Sequence, residues 1–197
     1  MAIKDRQKLI TGILSEILNE PAQTDIKFEW FINKHLKADF GKFYSKINDI
    51  FDFLNGNFQV NQMKRTIKLE CDAYFGGEYN FLFEFDEFQH FSSYRAKTFD
   101  FYPTGLETNF DIEKWGKYCS EYYHKADKYR ENKRTKDFDF IGGRTAQRAY
   151  LDCFRDFLPV IHGLNPTLRI SEFEVSHIEY ADKYVFKRIE SILKDRL

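Results

Sequence analysis

The sequence predicts an α/β domain, a small mixed β-sheet flanked by helices and preceded by a helical extension. Three observations carry this expectation. Apolar residues recur at helical spacing between Leu9 and Leu54, the period falls to two between Arg65 and Asp86, and helical spacing then returns before one more alternating run at 167–175.

Leu9, Ile10, Ile13, Leu14, Ile17 and Leu18 share one helical face, and Pro21 ends that segment. Phe28, Phe31, Ile32, Leu36, Phe43, Ile47, Ile50, Phe51 and Leu54 extend helical stripes over residues 24–55, interrupted near Gly41 and stopped at Asn55-Gly56. From Arg65, Ile67, Leu69, Cys71 and Ala73 alternate with Lys68, Glu70, Asp72 and Tyr74. Beyond Gly76-Gly77, Phe81, Phe83 and Phe85 alternate with Leu82, Glu84 and Asp86, so the two runs predict a hairpin.

Residues 111–130 return to a helix with Ile112, Trp115, Cys119, Tyr122, Ala126 and Tyr129 on one face, and 132–145 is a loop. Residues 145–161 form the clearest amphipathic helix, striped from Ala146 to Ile161. Thr167 to Val175 reads as a third strand, returning after a helix as a crossover does, and Val185, Ile189, Ile192 and Leu193 mark a closing helix. One domain is expected over 1–197. It comprises an extension at 1–56, a core at 57–178 interrupted by an inserted helix and basic loop at about 92–144, and a C-terminal helix at 179–197.

A composition of 43% hydrophobic and 31% charged residues supports a buried core and excludes a largely disordered chain. The 22 Phe and 12 Tyr serve a core, a partner surface or base stacking equally well. A net charge of −1 removes whole-molecule attraction to phosphate, so nucleic-acid binding must come from a local basic surface or a metal. Cys71, Cys119 and Cys153 are far apart, odd in number and without a CxxC pair, which points to reduced thiols and a cytoplasmic location. Met1 to Leu14 carries charges where a signal peptide has an apolar run, and no stretch approaches the roughly 20 apolar residues of a membrane span. Neither export nor membrane insertion is expected.

An odd-numbered connection in the hairpin puts Asp72 and Glu84 on one face. A three-residue connection sets Asp72 opposite Glu84 and Glu70 opposite Asp86. Like charges facing each other destabilise a sheet, so a positive group is expected among them. One reading supplies a divalent cation, Mg²⁺ or Mn²⁺, that polarises a phosphodiester and acidifies a bound water. The other is a solvated face balanced by Lys64, Arg65 and Lys68.

The run Glu84-Phe85-Asp86-Glu87-Phe88-Gln89-His90 resembles the E-x-D-G-x-x-H signature of very-short-patch-repair-like endonucleases, with Glu87 in the glycine position. Asp152, Arg155-Asp156 and Leu158, followed by Leu168-Arg169-Ile170 and Glu174-Val175, resemble the second signature of that group. The resemblance covers about residues 60–175 and implies a restriction-endonuclease-like PD-(D/E)XK core. It implies a metal-dependent endonuclease of the restriction or repair type that hydrolyses duplex DNA. Asp72 takes the place of the first metal-binding aspartate, Glu84 and Asp86 that of the second acidic pair, and His90 that of the family's histidine. Two departures stand out: Asp72 follows Cys71 instead of proline, and Asp86 stands where a lysine is usual. Gln89, His90, Lys68 and Lys97 are then the candidates to orient or deprotonate the water, with His90 favoured.

Between Lys125 and Arg148 eight basic residues face four acidic ones, which makes Lys133, Arg134, Lys136, Arg144 and Arg148 candidates for DNA contact. Arg155 and Arg169 each approach the phosphate or pair with a site carboxylate. Cutting both strands calls for two active sites, so a homodimer is expected. Two alternatives stay open: an RNA-processing nuclease of the same fold, with Phe and Tyr stacking on unpaired bases, and a non-catalytic nucleic-acid-binding module in which the missing lysine marks lost catalysis.

Overall fold

Amphipathic spacing sets the first element, α1 (Ile3–Leu18), in a computed structural model that describes residues 3–175 and 183–197. Ser15 Oγ accepts a hydrogen bond from the Ala22 amide at 2.9 Å, which folds the chain back after the helix.

The helix expected over 24–55 forms only in its second half. Residues 24–36 are not helical, because partners distant in sequence take their backbone groups. Gln23 and Tyr74 exchange two bonds of 2.9 Å, Leu69 N donates to Phe31 O at 2.7 Å, and Asn33 N donates to Ile67 O at 3.0 Å. The apolar side chains that mimic a helical stripe are aromatic anchors instead: Phe28 stacks on Trp30 at 4.8 Å, and Trp30 on His162 at 4.6 Å. Helices α2 (Lys37–Phe40) and α3 (Tyr44–Phe53) follow, separated by a turn at Gly41, whose φ of +47° suits a residue without a side chain. Helix α4 (Phe58–Met63) is capped by Asn57, which accepts from Val60 N at 3.1 Å.

Strand β1 is confined to Ala73–Phe75, since the residues upstream pair with the 31–33 stretch and do not extend the hairpin. Its partner β2 (Phe81–Asp86) runs antiparallel to it, with Ala73 opposite Phe83 and Phe75 opposite Phe81. That register continues to Asp72 across from Glu84, the parity expected from the alternation. Strand β3 (Asn165–Ser171) pairs in parallel with β2, setting Glu84 beside Arg169, and completes a mixed sheet of order β1-β2-β3.

The central strand is buried on both faces. Phe81, Phe83 and Phe85 pack with Leu168 and Ile170 against Ile10 and Leu14 of α1 and against Val185 and Ile189 of α8 (Lys183–Lys194). On the other side Leu82 joins Phe51, Tyr150, Phe154 and Phe157 beneath α3 and α7 (Gly143–Ile161). Helix α1, which falls within the expected extension, therefore covers the sheet. Between β2 and β3 the crossover passes through α5 (Ser93–Thr98), α6 (Ile112–Lys128) and α7, and Phe91, Phe110, Trp115 and Cys119 form a smaller core there. The expected boundaries at 178 and 179 lie outside the described residues. Among the described residues no helix is long and apolar enough to cross a membrane, and Cys71, Cys119 and Cys153 are buried free thiols.

Candidate active site

Beyond the end of β2, against one face of α7, lies a cleft of about 490 Å³. Its lining includes Asp72, Glu84, Glu87, Gln89 and His90, together with Arg144, Arg148, Asp152 and Arg155 from α7, and Gln7 and Tyr129. The α7 residues recur at three- and four-residue steps, which places them on one side of the helix.

Asp72 Oδ2 accepts from Phe85 N at 2.7 Å, so the aspartate is fastened to β2 where the β1 ladder ends. Burial pushes its carboxyl up to about 6, against the Phe85 amide and the Arg155 charge, which pull it down. Glu84 is 5% exposed. Burial pushes it up to about 8; Arg155 opposes that rise and Asp72 adds to it. Arg155 Nε stands 2.8 Å from Glu84 Oε1, yet neither atom has a well-directed hydrogen bond. Other nitrogens of the same guanidinium reach the Glu70 and Leu151 carbonyls at 3.0 and 3.1 Å, tying the approach to β1 onto α7.

Asp86 departs from expectation. Its Oδ1 accepts from Arg169 Nη1 at 2.6 Å and its Oδ2 from Trp115 Nε1 at 2.7 Å. Arg169, fully buried, also binds Asp156 Oδ1 at 2.7 Å and the Asp152 carbonyl at 3.1 Å, while Arg95 holds Asp156 Oδ2 at 2.6 Å. Both oxygens of Asp86 are thus committed to the interior, and it does not line the cleft. The positive charge expected among the carboxylates is arginine: Arg155 for Glu84 and Arg169 for Asp86. The lysines lie elsewhere, with Lys64 on Asp137 at 2.5 Å, Lys68 on Glu29, and Lys97 exposed outside the cleft. Glu70 is exposed and pairs with Lys27 at 3.0 Å.

His90 Nδ1 lies 3.0 Å from Asp152 Oδ2 and 3.8 Å from Asp86 Oδ1. Although burial alone would raise it, His90 and Arg169 hold the Asp152 carboxyl well below the usual range. Its Oδ1 is buried without a hydrogen-bond partner. Sequence reasoning missed this pairing, since 62 residues separate the two side chains and only their common place in the two signatures hinted at it. Gln89 receives Arg148 at its side-chain and main-chain oxygens, at 3.1 and 3.2 Å, and donates to Glu87.

Arg144 and Arg148 enter the cleft, whereas Lys133, Arg134 and Lys136 do not. These three are exposed on a loop tied back by Gly142 N to Glu131 O at 2.7 Å and Arg144 N to Lys133 O at 3.0 Å, and Arg134 pairs with Asp139 at 3.5 Å.

Among the described residues no three His, Cys, Asp or Glu side chains are grouped to hold one metal ion. Asp72 and Glu84, which both line the cleft, suit an ion that takes one or two carboxylates and completes its shell with water and phosphate, with Arg155 2.8 Å from Glu84 Oε1 as the cation it would share that oxygen with. Asp86 does not suit it.

A family model matches residues 49–194, from within α3 to the end of α8, and takes in every residue that lines the cleft except Gln7. The chain belongs to DUF7255, a family of unknown function. The DUF7255 match leaves α1 outside, although α1 covers the sheet. No curated protein and no solved structure matches the chain.

Proposed function

We propose that the chain is a metal-dependent endonuclease with a PD-(D/E)XK-like core that hydrolyses nucleic-acid phosphodiester bonds, with duplex DNA as its substrate. The observation that carries this reading is one cleft lined by two carboxylates with raised pKa, the half-buried Asp72 and the buried Glu84, together with Arg144, Arg148 and Arg155. Carboxylates so placed favour a cation over solvent exposure, and the arginines favour a phosphate.

Asp72 and Glu84 would hold Mg²⁺ or Mn²⁺. When bound, the ion polarises the scissile phosphate and lowers the pKa of a water. Arg155 neutralises Glu84 and keeps it in the low-dielectric wall of the cleft. Asp152 on Nδ1 fixes the His90 tautomer and leaves Nε2 as proton acceptor for an attacking water. Asp86 acts through Arg169 and Trp115 as a positioning residue, holding β2, β3 and α6 together behind the site. Cutting both strands calls for a second copy of the chain, and the three buried thiols favour a reducing cytoplasm.

A second reading, cleavage of unpaired DNA or RNA, draws support from Tyr129. It lines the cleft with the Arg130 and Arg148 guanidiniums 5.1 and 5.7 Å from its ring, a surface on which a base stacks.

The test is cleavage of mixed-sequence duplex DNA, single-stranded DNA and RNA with Mg²⁺, Mn²⁺ or EDTA, comparing wild type with Asp72→Asn and Glu84→Gln. Metal-dependent cutting of duplex, abolished in both variants, supports the first reading. Cutting confined to single strands selects the second. No cutting together with no metal binding by calorimetry overturns catalysis and leaves a nucleic-acid-binding module.

A further inference from the structure

We infer that Arg144 and Arg148 form a phosphate subsite separate from the scissile position, one that takes the phosphate of a neighbouring nucleotide on the bound strand. The inference rests on the phosphodiesterase reading of the cleft and extends it to how much of the strand is recognised.

Of the three cleft arginines only Arg155 has an acid partner. Among the described residues no carboxylate comes within ion-pair distance of Arg144 or Arg148. Both are half-buried, and burial lowers their affinity for protons; the Arg130 charge adds to this on both, and that of Arg144 on Arg148, while the more distant Asp152 carboxylate opposes it without cancelling it. Two desolvated cations side by side raise the free energy of the folded chain unless an anion joins them. Arg144 also sits in the first turn of α7, where a positive side chain opposes the helix dipole.

The guanidiniums are nevertheless held in place, and by uncharged groups. Arg148 is tethered by the two oxygens of Gln89. Arg144 Nη1 donates to Gln147 Oε1 at 2.7 Å, and Gln147 in turn donates to Asp137 Oδ1 at 3.1 Å. Asp137 is 1% exposed and is fixed further by Lys64 at 2.5 Å and Asn61 at 2.9 Å. Such tethers orient the donors without neutralising them. A guanidinium presents a planar fork of N–H groups matched to two phosphate oxygens, and a second fork beside it selects the tetrahedral anion over a lone carboxylate.

Position separates this anion from the one undergoing attack. Arg148 precedes Arg155 by about two turns of α7, about 10 Å along its axis, and Arg144 lies a further turn away. A phosphate at Asp72, Glu84 and Arg155 therefore leaves Arg144 and Arg148 to a different phosphate of the same strand. A substrate with a single isolated phosphodiester cannot fill both positions.

The first arm of the test measures cleavage of an oligonucleotide in which the phosphate next to the scissile bond, on either side in turn, is replaced by an uncharged methylphosphonate. Wild type is expected to lose about tenfold in kcat/KM for one of the two placements, the loss of one charge-assisted contact. Arg144→Gln with Arg148→Gln, checked for folding by its melting curve, is expected to start about that much lower and to ignore the substitution. Arg144→Lys, which keeps the charge, should retain part of the response. Equal losses in wild type and double variant, or no loss in wild type, overturn the subsite and leave the nuclease reading intact.

The second arm titrates inorganic phosphate in EDTA, followed by ³¹P line broadening, and decides the matter if no substrate is cut. Binding that disappears in the double variant then upholds the anion site while the nuclease reading falls; absence of binding overturns the subsite.

Discussion

Arg169 Nη1 meets Asp86 Oδ1 at 2.6 Å between two parallel strands, both residues being fully buried. The contact turns an acid that resembles a metal ligand into part of the frame. The same guanidinium binds Asp156, so Arg169→Met leaves Asp86 in the interior without its cation and Asp156 with Arg95 alone. The expected cost is about 3–5 kcal/mol, read from urea denaturation at pH 7. Asp86→Ala should likewise fail first in stability, with activity lost in proportion to the unfolded fraction. An Asp86→Ala protein that melts like wild type but no longer binds metal would return Asp86 to the ligand set.

Asp72 makes the opposite prediction. Its ordinary value of 3.8 rises to about 6 in the fold because burial disfavours the charge. The protonated form therefore stabilises the fold fully below pH 3.8, and that contribution is lost as pH rises through about 6. Asp72→Asn, which keeps an oxygen for the Phe85 amide, should stabilise the metal-free protein above pH 6 by up to about 3 kcal/mol and leave it unchanged at pH 3.5. Thermal melts at the two pH values decide this.

Metal affinity should carry the same signature. Protons compete with a cation for Asp72 and Glu84, whose values lie at about 6 and about 8. Mn²⁺ binding followed by calorimetry is expected to strengthen between pH 6 and pH 8.5, with release of protons to the buffer. A flat profile over that range argues against these two ligands.

His35 supplies an acid-side prediction remote from the cleft. Fully buried, it contacts the Tyr150 hydroxyl at 2.5 Å, and burial lowers its value from 6.5 to about 4. The folded chain resists a proton that the unfolded chain accepts, so stability falls as pH drops from 6.5 towards 4, by up to about 3 kcal/mol. His35→Phe should remove this slope from urea midpoints measured across that range, at some cost in stability at neutral pH because Tyr150 loses its partner.

Asp152→Asn tests the orientation of His90. Asparagine keeps the shape but no longer favours the tautomer with a proton on Nδ1, and a drop in kcat of about 100-fold is expected with KM little changed. The acidic limb of the pH–rate profile should move as well. An unchanged profile would assign Asp152 to the frame alone.

Much of this architecture was legible because strand and helix periods are rigid. The parity that sets Asp72 against Glu84 needs only the alternation around Ala73 and Phe83, and α7 announces itself by its stripe. Residues 24–36 misled because aromatic anchors that face inward from an irregular chain leave the same spacing as a helix; the strand-like stretch ending at Tyr74 took their backbone bonds. Asp86 misled for a different reason. Its partners Arg169 and Trp115 stand 83 and 29 residues away, and nothing local tells a buried acid from a ligand. The basic run likewise could not show that Arg144 and Arg148, on a helix, would enter the cleft while Lys133, Arg134 and Lys136 would stay on its outer loop.

The parallel pairing of β2 with β3 also has a kinetic consequence. Everything from Glu87 to Leu164 must be gathered before the two strands meet, and contacts of that separation form slowly because loop closure precedes their reward. Until β3 docks, Asp86 has no Arg169, and Leu168 and Ile170 are missing from the apolar layer beneath α1. On the ribosome, which adds about 5–20 residues each second, the nascent chain must therefore carry a half-built sheet for several seconds, with β2 offering an unpaired edge to chaperones or to other nascent copies.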